Sequence, residues 1–250
     1  MKRLSVSFLL TIFLGCVSAN ETTPALKKQN WSFDGPFGTY SKDALQRGFQ
    51  VYQEVCSACH GMKLLSYRHL KDLGYTEAQI KAIAAKHDIT AGPNEQGEMF
   101  TKKAQPHDRL LSPFANDQAA RAANNGSLPA DLSLIVKARK RGADYVYSLL
   151  TGYQDPPKDV VVGENMYYNP FMSGGQIAMP PPLKEGMVTF SDGTPSTVDQ
   201  MSKDVTTFLA FASEPEATHR KSLGIKVMFY LLVLTTILYF SKRKIWKDLK

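Results

Sequence analysis

Five consecutive residues, Cys56-Ser57-Ala58-Cys59-His60, restrict this chain more than any other feature of its sequence. Two thiols one helical turn apart can each add to a vinyl group of haem, and the adjacent imidazole then projects to the iron as an axial ligand. Of the three cysteines in the chain, Cys16 falls in an N-terminal segment that reads as a cleaved signal, so the mature chain keeps only this pair. Export to an oxidising compartment makes two free thiols of little use and favours haem attachment. A thiol–disulfide oxidoreductase also uses two cysteines at this spacing, but at a strand-to-helix junction within alternating strands and helices, a pattern these surroundings lack. A zinc site would need four ligands, and His69, His87, His107 and His219 show no paired spacing. The motif therefore predicts one covalently bound haem c, with Cys56 and Cys59 on the porphyrin and His60 on the iron.

Both ends of the chain speak for a membrane. Met1-Lys2-Arg3 precedes the apolar run Leu4 to Leu14 and the small-residue ending Val17-Ser18-Ala19, which predicts a secretory signal over residues 1–19 cleaved before Asn20. That run is too short to span a bilayer, which takes roughly 20 residues. Phe13-Leu14-Gly15 is a poor match to a lipoprotein cleavage site at Cys16, and a mitochondrial presequence would be longer and richer in Arg, so bacterial export is the better reading. Near the other end, Leu223 to Phe240 is eighteen residues long with the single charge Lys226 one turn inside, where its stem can reach the headgroups. Lys242, Arg243, Lys244, Lys247 and Lys250 follow and hold that end in the cytoplasm. The predicted order is a periplasmic haem domain at 20–221, a transmembrane anchor at 222–241 and a basic cytoplasmic tail at 242–250. The chain is thus expected in the bacterial inner membrane, single-pass, with the lipid bilayer as a partner. Its formal charge of +7 belongs to the two ends, since residues 20–222 carry 22 basic and 22 acidic side chains. A neutral body excludes a nucleic-acid footprint, which needs a basic face.

An electron carrier needs a sixth iron ligand, and a methionine would raise the potential and close the open coordination position. The mature candidates are Met62, Met99, Met166, Met172, Met179, Met187, Met201 and Met228. Met62 is too near His60 to reach the opposite haem face, Met228 is in the span, and Met201 falls on an apolar helical stripe. Met179 precedes Pro180-Pro181-Pro182, which hold the backbone extended and so place a flexible thioether at small entropic cost. The residues alone favour Met179 without excluding the others.

Helical periodicity predicts Ser41 to Val55 as a helix with Leu45, Phe49, Tyr52 and Val55 on one stripe, delivering the chain into the haem motif. A capping box at Ser196 to Asp199 opens another, with Val198, Met201, Val205, Phe208 and Ala212 on one face. Gly48 would let these two helices cross closely. Shorter helices are expected at Thr76 to His87, capped by Thr76 and Gln79; at Asn116 to Asn125, ended by Gly126; and at Leu132 to Leu150, broken near Gly142. The basic run Lys137, Arg139, Lys140 and Arg141 would then complete the last turn before Gly142 and complement the helix dipole. Residues 154–195 hold seven of the fourteen prolines and read as a long irregular, functional segment.

These stretches together resemble cytochrome c1, the haem subunit of the ubiquinol:cytochrome c reductase complex. The resemblance rests on residues 31–40 (WSFDGPFGTY), Leu45 to Tyr52 leading into Cys56 to His60, and Met62-Lys63-Leu64. It continues through Ala119 to Gly126, Leu128 to Ser133, Leu149 to Tyr153, the loop around Met179, and Glu214 to Glu216 with His219-Arg220-Lys221. It implies a mostly α fold, a cytochrome c-like haem domain with long irregular insertions plus one C-terminal transmembrane helix. It also implies Met179 as the second axial ligand and Arg121 beside a haem propionate. Partners implied are a cytochrome b subunit, the Rieske iron–sulfur protein as electron donor and a soluble or membrane-bound cytochrome c as acceptor, in a dimeric complex. Other readings from the residues are the electron-accepting module of a periplasmic dehydrogenase, and a haem enzyme or gas sensor with an open sixth position.

Overall fold

The computed structural model describes residues 24–247; the expected signal at 1–19 and the last three residues of the tail lie outside the described residues. The architecture is mostly helical: α1 (Lys42–Glu54), α2 (Glu77–Ala84), α3 (Asp117–Ala123), α4 (Gly142–Leu150), α5 (Val198–Ser213) and α6 (Ala217–Lys247), with 3-10 turns at Cys56–Ala58 and Tyr67–Leu73. Two small antiparallel hairpins are added, β1 (Asp88–Ala91) with β2 (Phe100–Lys103) and β3 (Tyr167–Tyr168) with β4 (Gln176–Ile177).

The crossing of α1 and α5 organises the core. Leu45, Phe49 and Tyr52 bury one stripe of α1 against Met201, Val205, Phe208 and Ala212 of α5. A side chain of this size contributes roughly 1.5–3 kcal/mol when fully buried. The phenyl rings of Phe49 and Phe208 lie 5.4 Å apart, and Tyr52 meets Phe208 at 5.6 Å. The backbones can come this close because residue 48 is glycine: a Cβ there would sit 2.0 Å from the Asp204 carbonyl oxygen and 2.8 Å from the Phe208 Cβ. Beside it, the Arg47 guanidinium forks onto Asp204 at 2.6 and 3.1 Å and reaches Asp192 at 2.6 Å. The Thr194 N–H and the Arg47 guanidinium hold the Asp192 carboxyl down at about 2. Asp204 is buried, so removing Arg47 would strand its charge at a cost of roughly 3–5 kcal/mol.

Helix ends follow local chemistry. At α2 the Gln79 N–H donates to Thr76 Oγ1 (3.3 Å) and the Thr76 N–H donates to Gln79 Oε1 (2.8 Å), a reciprocal cap. Asn116 caps α3 through the Ala119 N–H (2.9 Å), and α3 closes with Asn125 and Gly126 at positive φ. The α5 cap is Thr197, one residue later than the pattern at Ser196 suggests. At α1, Ser41 occupies the N-cap position with no side-chain cap bond. The helix expected to run to His87 stops at Ala84, and the chain passes into the first hairpin.

The largest departure from the expected pattern lies at 132–150. Residues 133–141 run through successive turns, and α4 begins at Gly142 rather than breaking there. The cause is steric: the Gly142 Cα lies so close to the returning chain that a Cβ would be 2.3 Å from the Val136 carbonyl oxygen, and Arg141 takes a left-handed φ of 60°. The basic run therefore precedes a helix N-terminus, and carboxylates pair with two of its four members. Arg141 pairs with Asp144 at 3.4 Å and Lys137 with Glu214 at 3.0 Å.

Helix α6 continues beyond the expected anchor at both ends. Its 31 residues, at 1.5 Å each, extend about 46 Å, enough for the roughly 30 Å hydrocarbon core with a turn or more on either side. Only residues 214–216 separate it from α5.

Candidate functional site

Helix α1 carries the chain to Glu54, and the Val55 N–H still donates to the Val51 carbonyl before a 3-10 turn tightens over Cys56–Ala58. The His60 N–H donates to the Cys56 carbonyl at 2.9 Å, so the two sulfurs and the imidazole leave one turn and a half of compact backbone. Cys56 is half-buried and Cys59 exposed, with no disulfide joining them. Burial pushes the Cys56 thiol up to about 12, with the neighbouring Cys59 adding to the shift. A thiol so far from ionisation is a poor exchange reagent, which argues against a redox dithiol.

The His60 ring is set by a second segment. Its Nδ1 lies 2.7 Å from the Ala130 carbonyl oxygen, an acceptor only, so Nδ1 carries the proton and Nε2 keeps its lone pair. Burial lowers the pKa of this imidazole, holding it neutral, the form a metal requires. Residues 130–133 are fastened to 61–64 by a ladder of bonds. The Leu132 N–H donates to the Gly61 carbonyl (2.9 Å), the Lys63 N–H to Asp131 Oδ2 (2.9 Å) and the Leu64 N–H to Ser133 Oγ (2.9 Å). The Ser133 N–H closes on Asp131 Oδ1 at 2.9 Å. An outer layer of this kind fixes the tautomer and direction of a ligating histidine. A cleft of about 110 Å³ opens beside it, lined by Cys59, Gly61, Lys63, Asn116, Leu128 and Asp131.

Met179 lies on the irregular segment, half-buried, two residues past β4. The Tyr153 hydroxyl donates to its carbonyl oxygen at 3.1 Å and pins the loop. Of the other methionines, Met62 and Met201 are sealed in the core, the Met172 sulfur accepts from the Tyr145 hydroxyl at 3.7 Å, and Met166 is half-buried on the same irregular segment as Met179. Met99 and Met187 are exposed, and Met228 is on α6. Arg121 sits exposed on α3, where one guanidinium N–H donates to the Gly126 carbonyl at 3.0 Å, the guanidinium's one hydrogen bond among the described residues. A larger cavity of about 670 Å³ lies beside the Met179 loop, lined by Tyr153, Met166, Tyr167, Tyr168, Pro181 and Leu183, and no residue of the Cys56 to His60 motif lines it.

These residues fit haem c. Two thiols at the spacing that reaches the porphyrin vinyl groups, with an imidazole and a thioether on a braced loop as borderline and soft donors for the iron, suit haem c. What sequence reasoning missed is the bracing: Ala130, Asp131, Ser133 and Tyr153. A backbone carbonyl leaves no mark in a sequence, although Leu128 to Ser133 stood out as a block.

Comparison with known proteins agrees with this chemistry. The model of the cytochrome C1 family matches residues 31–249. A cytochrome c1 of Rhodospirillum rubrum is 48% identical over 94% of this chain and 93% of its own length. A mitochondrial cytochrome c1 heme protein of Arabidopsis thaliana is 46% identical over 96% of this chain and 79% of its own. A protein of Bradyrhizobium diazoefficiens named cytochrome b/c1 is 43% identical over 95% of this chain, which covers 38% of it.

Proposed function

The chain belongs to the cytochrome c1 family, the haem-carrying subunit of the bc1 complex, and from that premise we propose that it is a membrane-anchored monohaem electron carrier. It takes electrons from the Rieske iron–sulfur protein and gives them to a soluble or membrane-bound cytochrome c within a ubiquinol:cytochrome c reductase, with no bond-making on a substrate of its own. Cys56 and Cys59 would hold one haem c covalently, and His60 and Met179 would ligate its iron. The bound haem supplies a one-electron iron couple. The protein's part is to orient His60 through Ala130, to hold Met179 through Tyr153 and so to keep small molecules from the iron. Arg121 offers its guanidinium to a propionate.

The observation that carries this reading is the His60 imidazole, whose Nδ1 is fixed on the Ala130 carbonyl at 2.7 Å and which the compact backbone from Cys56 joins to the paired cysteines. The cytochrome b subunit is the membrane partner, a reading supported by the relative whose name couples the two cytochromes in one chain. The complex is dimeric. The haem domain stands in the periplasm of a bacterial inner membrane and the basic tail in the cytoplasm. The test is a potentiometric titration of the haem spectrum in the full, detergent-solubilised chain. One single-electron wave at clearly positive potential, unaltered by carbon monoxide, is expected. A strongly negative wave, or one that moves when carbon monoxide meets the reduced protein, would remove Met179 and the electron-transfer reading together.

A further inference from the structure

The turn over residues 31–40 lies apart from the haem motif, yet it is braced from two sides. On one side, aromatic contacts lead into the core. Trp31 stacks on Phe33 with centroids 5.5 Å apart, Phe33 leans on Tyr40 at 5.1 Å, and Tyr40 meets Phe211 of α5 edge-on at 5.6 Å. The Tyr40 hydroxyl donates to the Ala210 carbonyl at 3.1 Å, and the Thr39 N–H closes the turn on the Ser32 carbonyl at 2.9 Å. On the other side the Lys221 ammonium, in α6, donates to the carbonyls of Phe33 (2.5 Å) and Gly38 (3.1 Å).

Phe37 stands at the tip of this fixed turn, 78% exposed, more so than Phe229 on the apolar helix itself at 70%. Its height is set by Lys221, which precedes Leu223, the start of the apolar stretch, by two residues or about 3 Å of helix rise. The interfacial layer on each side of the hydrocarbon core is roughly 5–7 Å deep. A lysine side chain leans back toward the N-terminus of its helix, here away from the hydrocarbon, so the turn that Lys221 holds lies on the headgroup side of the boundary.

We propose that the turn around Phe37 rests on the bilayer surface and that Phe37 inserts at the headgroup–acyl boundary, a second lipid contact of the haem domain beside α6. The proposal rests on α6 spanning the membrane. Lipid fits this tip better than a protein partner. Between residues 24 and 63 Phe37 is the only exposed large apolar side chain, whereas a protein interface needs a contiguous face of hundreds of Å², and its turn is tied through Lys221 to the helix that carries the exposed apolar run from Leu223 onward. The bracing keeps the protrusion from folding back into the core and makes it continuous with the anchor.

The test uses the full, haem-loaded chain in liposomes, with F37W reporting from the tip and the native protein supplying the background of Trp31 and Trp246. The added emission should be blue-shifted, strongly quenched by lipids brominated near the headgroup, less by deeply brominated lipids, and little by aqueous iodide. Quenching by iodide but not by brominated lipid would place the tip in water and overturn the contact. Protection from both quenchers would place it against protein and overturn it as well. Flotation with the liposomes and resistance to alkaline carbonate report on α6 separately. A chain that does not float overturns the anchor and the proposal together, while one that floats with an iodide-quenched tip overturns the lipid contact alone.

Discussion

At Tyr153 one hydroxyl holds the carbonyl of the residue proposed as the second iron ligand. Replacing it with phenylalanine keeps the ring and removes the bond, a loss of roughly 1 kcal/mol at the loop. Y153F should therefore fold and bind haem but let Met179 leave the iron more often, seen as faster carbon monoxide binding to the reduced protein and a lower midpoint potential. An unchanged rate and potential would show that the prolines at 180–182 hold the loop without help. Legibility at this scale divides cleanly by chemistry. Cys56, Cys59 and His60 announce themselves because their side chains do the work at a fixed spacing. Ala130 does its part through a carbonyl that every residue possesses, and Asp131 and Ser133 are common loop residues until the ladder to 61–64 is seen.

Among the elements, the contact of α1 with α5 depends on one missing atom group. G48A would drive a methyl into the Asp204 carbonyl, and since that neighbour is helix backbone, the two helices must part. Overpacking of this kind costs about 1–3 kcal/mol, with loss of the Arg47 to Asp204 geometry in addition. The expected result is a lower midpoint in urea unfolding of the detergent-solubilised holoprotein and reduced haem incorporation; a variant of native stability would mean the crossing is looser than described. This crossing was readable beforehand, since both stripes and the glycine lie in the pattern. So was the cap at Thr76. The misreading at 132–150 has the opposite origin: Leu132, Ile135 and Val136 have helical spacing, but the tertiary demand for a tight reversal at Gly142 overrides it. The β1–β2 hairpin escaped notice because β2 is exposed along its length and so shows no apolar alternation.

For the whole molecule, the asymmetry of charge around α6 predicts its orientation. A C-terminal alkaline phosphatase fusion, active only outside the cytoplasm, should be inactive, and a fluorescent protein at the same end should glow; phosphatase activity would reverse the proposed topology. Substituting Lys242, Arg243 and Lys244 with glutamine weakens the retention signal and should produce a mixed population in the same assay. The joint between the domain and this helix is only residues 214–216, and Glu214 in it is gripped by Lys137 at 3.0 Å and Arg220 at 2.6 Å. A joint so short and so tied leaves no tether to swing on. The haem motif is consequently expected to keep one altitude and one heading relative to its anchor, so that in the electron-carrier role proposed above any travelling falls to the partners.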